Sequence, residues 1–108
     1  MSFLNLKDIP VKTLVPGFMA QFIHSDSITL SIVKIEKGSK LPEHSHIHEQ
    51  ITYVIEGKLE FHLEHETLVL ESGMLANIPP GSRHSALALE DCQVIDVFSP
   101  VREDYQKL

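Results

Sequence analysis

The sequence has few cysteines, few basic residues and no long apolar run, and each of these absences excludes some classes of protein. Its 108 residues include one cysteine, Cys92, which excludes an internal disulfide and suits a reducing, cytoplasmic compartment. No apolar run approaches the length of about 20 residues that a membrane span needs, and no secretory signal is evident. Lysine and arginine number 9 against 15 acidic residues, and this formal charge of −6 argues against a nucleic-acid partner.

Convincing helical periods are also absent, and short alternating segments take their place. Polar and apolar residues alternate over most of these segments, which is typical of strands with two distinct faces. Together they predict one all-β domain over residues 1–108, a sandwich or jelly roll, with an extended N-terminal arm at 1–16 and a C-terminal tail at 99–108. The predicted strands include 18–24, 28–36, 58–65, 67–70, 74–78, 84–89 and 92–98.

Seven histidines are many for this length, and three of them fall in a pattern typical of a metal site. His44 and His46 are two apart, so on an extended strand their imidazoles leave from the same face. Gln50 follows after an expected turn at 47–49, and His84 opens a later strand behind a turn rich in proline and glycine. Three imidazoles and an amide oxygen predict a divalent transition metal, such as Ni, Zn, Fe, Mn or Co.

Two segments that contain these residues, 38–57 and 73–88, resemble the two signature motifs of the cupin superfamily. Cupins are small double-sheeted β-barrels that hold a divalent metal. The resemblance implies a double-stranded β-helix, or jelly-roll barrel, with a metal held by His44, His46, Gln50 and His84. Gln50 stands where a glutamate is usual, and Met74 and Ala88 replace the usual aspartate and asparagine. The matching positions are Gly38, His44, His46, Gly57, Gly73, Pro79, Gly81 and His84.

Several of the polar residues have more than one interpretation. Gln50 is a neutral amide, which either ligates the metal directly or hydrogen-bonds to a bound water. His48 is two residues after His46, so on a continuous strand it would lie on the same face as His44 and His46. The expected turn should break that alternation, so His48 either lines the pocket or lies outside it. His24, His62 and His65 are expected to be surface or hydrogen-bonded core residues.

Asp96 is the unusual residue of the last predicted strand. Val94 and Phe98 share its face, and the opposite face is apolar as well, so this carboxylate should be buried. A buried carboxylate must be paired, hydrogen-bonded or protonated. Either it forms a structural pair with Arg102, or it is a general acid or base in the barrel lumen with Phe98 as a pocket wall. In the second case the forked donors of Arg102 would bind a substrate carboxylate.

The segment Asp-Val-Phe-Ser-Pro-x-Arg-Glu-Asp-Tyr near the C-terminus, together with His-x-His-x-His-Glu-Gln, resembles the KdgF-type cupins of pectin and alginate breakdown. That family converts 4,5-unsaturated uronate monosaccharides to linear keto acids. The resemblance implies a metal-dependent isomerase that acts on a small anionic sugar acid, with Asp96, Phe98 and Arg102 serving catalysis. Arg102 would orient the substrate carboxylate, and Asp96 would move protons while the ring opens.

Two other functions fit the same residues. An oxygen-activating cupin dioxygenase would use Fe(II) at the same ligands, and a non-catalytic module would bind a metal or sugar acid without turnover. Small cupins usually pair as homodimers. The N-terminal arm and the outward faces of Ile51, Tyr53 and Ile55 are the interface that we expect.

Overall fold

Alternation between buried and accessible side chains accounts for the strands of this protein. A computed structural model describes residues 2–108, and Met1 lies outside the described residues. In β3, for example, Thr29, Ser31, Val33 and Ile35 are buried while the residues between them are more accessible. Within 2–108 the chain forms ten strands, β1 (Lys12–Val15), β2 (Phe18–His24), β3 (Thr29–Ile35), β4 (Lys40–His44), β5 (Glu49–Glu56), β6 (Leu59–Leu63), β7 (Glu66–Leu70), β8 (Leu75–Ile78), β9 (His84–Ala88) and β10 (Cys92–Ser99).

The strands form two antiparallel sheets around one apolar core. The larger sheet has the order β1-β2-β3-β10-β5-β8, and the smaller sheet has the order β4-β9-β6-β7. This arrangement confirms the predicted all-β class and double-sheeted barrel. The core is made of the inward-facing residues of both sheets, among them Phe18, Val33, Val54, Leu59, Phe61, Ile78, Ala86 and Val94.

The N-terminal segment differs from the extended arm predicted for residues 1–16. Leu6–Asp8 form a 3-10 helix, and β1 pairs with β2 as the edge of the larger sheet. The side chain of Gln21 on β2 donates hydrogen bonds of 2.8 Å to the carbonyls of Leu6 and Ile9. These tertiary contacts order a segment whose own sequence shows little strand pattern.

Two local features also depart from the prediction. The β6–β7 hairpin turns at Glu64 and His65, inside the segment 58–65 that was predicted to be one strand, and Glu64 adopts a positive φ of 52°. The C-terminal tail contains a short helix, α1 (Glu103–Gln106), which the sequence pattern did not indicate. Among the residues that the structure describes, no helix is long and apolar enough to cross a membrane.

Strand register brings the two motif segments to one end of the barrel. His44 at the end of β4 is paired with His84 at the start of β9. In the other sheet, Gln50 is paired with Phe98, and two residues further along β5 Thr52 is paired with Asp96. The polar residues singled out in the sequence therefore line the barrel from both sheets.

Candidate metal centre and active site

Three histidines from distant parts of the chain converge at this end of the barrel. One ring nitrogen from each of His44, His46 and His84 lies within 4.8 Å of the other two. His44 and His84 come from paired strands, and His46 follows the end of β4, before the bend at 47–48 that leads into β5. A divalent metal with imidazole ligands needs this kind of spacing between its donor atoms.

Hydrogen bonds to the backbone fix the tautomer of each ring. In all three histidines Nδ1 lies 2.9–3.0 Å from a main-chain carbonyl, which can only accept a hydrogen bond. Nδ1 therefore carries the proton, and Nε2 keeps its lone pair, as metal-bound histidines usually require. The accepting carbonyls belong to Pro42 for His44, to His48 for His46 and to Ser82 for His84.

Two of the Nε2 atoms lack the partner that a purely structural histidine would have. Nε2 of His84 is buried and has no hydrogen-bond partner among residues 2–108. Nε2 of His46 lies 2.9 Å from Oε1 of Gln50. With the proton on Nδ1, both atoms of that contact are acceptors, so a cation between them would remove their repulsion. These residues therefore fit a divalent metal ion, and together with the cupin pattern they indicate a metal site.

Polar groups on the side away from the histidines orient the amide of Gln50. Its Nε2 donates to Oγ1 of Thr52 at 2.8 Å and approaches Oδ1 of Asp96 at 3.4 Å. The Thr52 hydroxyl in turn donates to the same Asp96 oxygen at 2.7 Å. Because the amide nitrogen is held on this side, Oε1 is the atom that faces the histidines.

Burial favours the neutral form of two of the clustered imidazoles, those of His84 and His46. Desolvation, the largest effect, lowers the pKa of His84 to about 4, and the nearby charge of Arg102 acts in the same direction. The pKa of His46 is lowered mainly by desolvation too, and then by Arg102, although its hydrogen bonds oppose the shift. Neutral imidazole is the form that binds a metal ion.

The carboxyl of Asp96 is held inside the barrel without an ion pair. Burial raises its pKa to about 6, while the hydrogen bonds from Thr52 and Gln50 act in the opposite direction. Arg102 contributes only a weaker electrostatic effect, and its guanidinium bonds instead to Asp104. The interpretation of Asp96 as the structural partner of Arg102 is therefore wrong, because the arginine turns toward the C-terminal helix.

Arg102 is a buried cation whose guanidinium packs against two aromatic rings that are nearly perpendicular to each other. Its central carbon is 4.7 Å from the ring centroid of Phe98 and 3.8 Å from that of Tyr105. The side chain is only 7% exposed, and it forms two hydrogen bonds with Asp104, of 3.0 and 2.7 Å. Such stacking and forked pairing suit guanidinium far better than a lysine ammonium.

These groups line one cavity of about 170 Å³ between the sheets. Its polar wall joins two of the histidines to the carboxylate and the guanidinium, while its other walls are aliphatic and aromatic. A small ligand with several oxygen atoms could contact the imidazoles and the charged groups together. The polar wall comprises His44, His84, Gln50, Thr52, Asp96 and Arg102, with Phe98 and Tyr105 beside it.

Comparison with known proteins identifies the family. Residues 31–98 match the cupin domain family. The pectin degradation protein KdgF of Dickeya dadantii (strain 3937) is 36% identical over 101 residues, which cover 91% of this chain and 92% of that protein. This chain is a KdgF-type cupin. The family predicted from the sequence is thereby confirmed.

Solved structures of similar proteins agree with this KdgF-type fold. The structure of KdgF from Halomonas sp. matches with a TM-score of 0.90 and 34% identity, covering 96% of this chain and 99% of that one. An RmlC-like cupin from Shewanella frigidimarina matches with a TM-score of 0.91 and 26% identity, covering 97% and 96%. Both proteins share the barrel over nearly their whole length.

The other histidines of this cupin lie outside the cluster. His48 sits beside it, with its ring centroid 5.4 Å from that of His46 and 6.5 Å from that of Phe98. Its carbonyl orients His46, but its ring does not line the cavity. His24 and His62 hydrogen-bond to threonines on neighbouring strands, Thr29 and Thr67, and His65 lies in the exposed β6–β7 turn.

Three residues of the site in this cupin were not singled out from the sequence. Thr52 follows Gln50 by two residues on β5, so both side chains lie on the same face of the strand. That spacing is a signal that could have identified Thr52 from the sequence. Asp104 and Tyr105 belong to a tail without an amphipathic period, and they reach Arg102 only because the chain bends into α1. Pro100 indicates a bend after the last strand, but no sequence pattern indicates the helical turn at Glu103–Gln106.

Proposed function

We propose that this cupin is an isomerase that converts 4,5-unsaturated uronate monosaccharides to linear keto acids during the breakdown of pectin and related polymers. Its similarity to a pectin degradation protein over 91% of the chain supports the substrate class. The observation that carries the proposal is the cavity where two histidines of the cluster, the Asp96 carboxyl and the Arg102 guanidinium come together. An anionic sugar with several oxygen atoms needs such a combination of groups.

His44, His46, His84 and Gln50 are the proposed metal ligands. The unprotonated Nε2 atoms and the inward-facing amide oxygen support this set. Nickel, zinc, iron, manganese and cobalt all suit three imidazoles and one neutral oxygen. A divalent ion held there would supply a Lewis acid for the oxygen atoms of the substrate.

Asp96 is the proposed proton carrier. The substrate is a cyclic hemiacetal, and its isomerisation requires loss of the proton on the C1 hydroxyl, cleavage of the bond between C1 and the ring oxygen, and gain of a proton at C4. Atoms and electrons balance without an oxidant. A carboxylate that first accepts and then returns one proton meets both needs, and the position of Asp96 on β10, where it lines the cavity, supports that role.

Arg102 and Phe98 are the proposed substrate-positioning residues. A guanidinium offers paired donors that match the two oxygens of a carboxylate. The position of Arg102 at the same cavity as Asp96 supports a contact with the substrate carboxylate, with the Phe98 ring forming the adjacent wall.

An ultraviolet assay on an unsaturated uronate, run together with an oxygen electrode, tests this function. We expect the absorbance of the conjugated double bond to disappear with no oxygen consumed. Absorbance loss coupled to oxygen uptake would instead indicate a dioxygenase. Binding of the uronate without any loss of absorbance would indicate a non-catalytic module, and either result would overturn the proposal.

We also propose that the protein is a homodimer. Ile51, Tyr53 and Leu75 are 42%, 39% and 58% exposed on the outer face of the larger sheet, and Tyr53 is paired with Leu75 across β5 and β8. Neighbouring exposed apolar side chains of this kind can form part of a protein–protein contact surface. Light scattering should give twice the mass of one chain, and a monomer at micromolar concentration would contradict this expectation.

A further inference from the structure

The C-terminal segment holds Arg102 in a way that the mechanism above does not explain. The backbone amide of Arg102 donates to Oγ1 of Thr29 at 2.8 Å, which anchors the start of the segment to β3. The guanidinium then packs against the rings of Phe98 and Tyr105. Two residues later, Asp104 completes the arrangement by pairing with the same guanidinium.

Asp104 occupies only one edge of that guanidinium. Its Oδ1 accepts from Nε at 3.0 Å and its Oδ2 accepts from Nη2 at 2.7 Å. Nη1 and the second hydrogen of Nη2 form the other edge, which has no carboxylate partner among the described residues 2–108. That edge is a second pair of donors with the spacing of a carboxylate.

The ion pair of Arg102 and Asp104 links a buried guanidinium to an exposed carboxylate. The Asp104 side chain is 57% exposed, whereas that of Arg102 is 7% exposed. Hydrogen bonds from Arg102 are the main reason that the pKa of Asp104 is lowered, and backbone amides of Asp104 and Tyr105 also stabilise the carboxylate. Asp104 can therefore hold the guanidinium in one orientation through two hydrogen bonds, while the Tyr105 ring packs against it.

We propose that Asp104 is a positioning residue, which directs the second edge of Arg102 into the cavity to receive the carboxylate of the substrate. This inference rests on the proposed function, because a sugar acid is the ligand that needs this edge. Asp104 itself does not touch the substrate. It acts through Arg102, so its removal affects recognition of the carboxylate rather than proton transfer at Asp96.

Kinetics of the Asp104→Asn variant with two substrates test this role. For the unsaturated uronate we expect KM to rise at least fivefold with kcat within twofold of the unchanged protein. For the methyl ester of the same sugar, which lacks the charge, KM should stay the same. Asp104→Glu should recover part of the loss. Glu103→Gln is the matched control, since it removes an exposed carboxylate from the same helix, and it should change neither KM nor kcat.

Binding measurements decide the inference even if turnover fails. In zinc-loaded protein, the Nε–H signal of Arg102 followed by nuclear magnetic resonance should be protected from exchange, and Asp104→Asn should remove that protection. Galacturonate, a saturated uronate, should bind the variant at least fivefold more weakly. Tighter binding would mean that Asp104 competes with the ligand for Arg102, and unchanged binding would mean that the pair is irrelevant.

Two further outcomes separate this inference from its alternatives. Equal losses for the acid and the ester, together with a lower melting temperature in both Asp104 variants, would make the pair merely structural and would overturn the inference. Absence of turnover in the unchanged protein would count against the proposed function alone, because the galacturonate measurement would still decide the role of Asp104.

Discussion

The hydroxyl of Thr52 donates a hydrogen bond of 2.7 Å to Asp96, its register partner across β5 and β10. The same hydroxyl accepts a bond of 2.8 Å from the amide nitrogen of Gln50. One buried side chain therefore joins the proposed metal ligand to the proposed proton carrier. Rotation of either group would break one of these hydrogen bonds.

Replacing Thr52 with valine should disturb both groups at once. Thr52→Val keeps the shape but leaves the Gln50 amide and the Asp96 carboxyl without their shared partner. We expect metal affinity to fall by about 10-fold or more, and the free energy of unfolding to fall by about 1–3 kcal/mol. Competition with a chelator and thermal unfolding measure the two effects. Thr52→Ser retains the hydroxyl and serves as the control; equal effects in both variants would contradict the bridging role.

Replacing Asp96 with asparagine should separate catalysis from metal binding. The amide oxygen introduced by Asp96→Asn can still accept the Thr52 hydrogen bond, so the orientation of Gln50 and the bound metal should be retained. Proton transfer should be lost, which lowers the rate of uronate conversion by about 10²–10⁴-fold. Metal analysis and the ultraviolet assay on the same preparation check this, and an unchanged rate would remove Asp96 from the mechanism.

Replacing Gln50 with glutamate should weaken the binding of anions. Nε2 of Gln50 lies 3.4 Å from a carboxylate oxygen of Asp96, so a glutamate would bring two like charges together. It would also cancel one positive charge of a bound metal. We expect galacturonate to bind zinc-loaded Gln50→Glu several-fold more weakly in calorimetry. Gln93→Glu adds the same charge outside the cavity and is the control; tighter binding by Gln50→Glu would contradict the electrostatic argument.

Gly57 should be the least replaceable of the motif glycines. Its φ is +92°, and an added Cβ would overlap the carbonyl of Asp91 and lie 2.8 Å from Sγ of Cys92. Gly38 has a similar φ of +86° but has open space around it. Backbone strain should cost each alanine variant about 1 kcal/mol, and crowding should cost Gly57→Ala about 1–3 kcal/mol more. Denaturant unfolding compares them, and equal losses would show that crowding plays no part.

The strands were predictable wherever a segment carries its own alternating pattern. The bounds predicted for 18–24 are those observed for β2, and β3 and β9 lie within their predicted segments. β1 was missed because its order comes from pairing with β2 rather than from its own four residues. The helix α1 is too short to show a period, and its position depends on the anchoring of Arg102 to Thr29.

The site was predictable to the extent that its residues belong to recognisable motifs. The convergence of His44, His46 and His84 follows from the barrel register implied by the family resemblance, and Gln50 lies against them as expected. The partner of Arg102 was not predictable, because the sequence suggested only Asp96, and Asp104 reaches the guanidinium through the turn of α1. Side-chain partners across a bend depend on tertiary geometry that a linear sequence does not encode locally.

Reconstitution of chelator-treated protein tests the central claim most directly. After removal of bound metal, the protein should leave the absorbance of an unsaturated uronate unchanged. Addition of one equivalent of a divalent transition metal should restore its disappearance, and restoration should fail in His84→Ala, which lacks one of the three imidazoles. Conversion of the uronate at full rate by the metal-free protein would contradict the account.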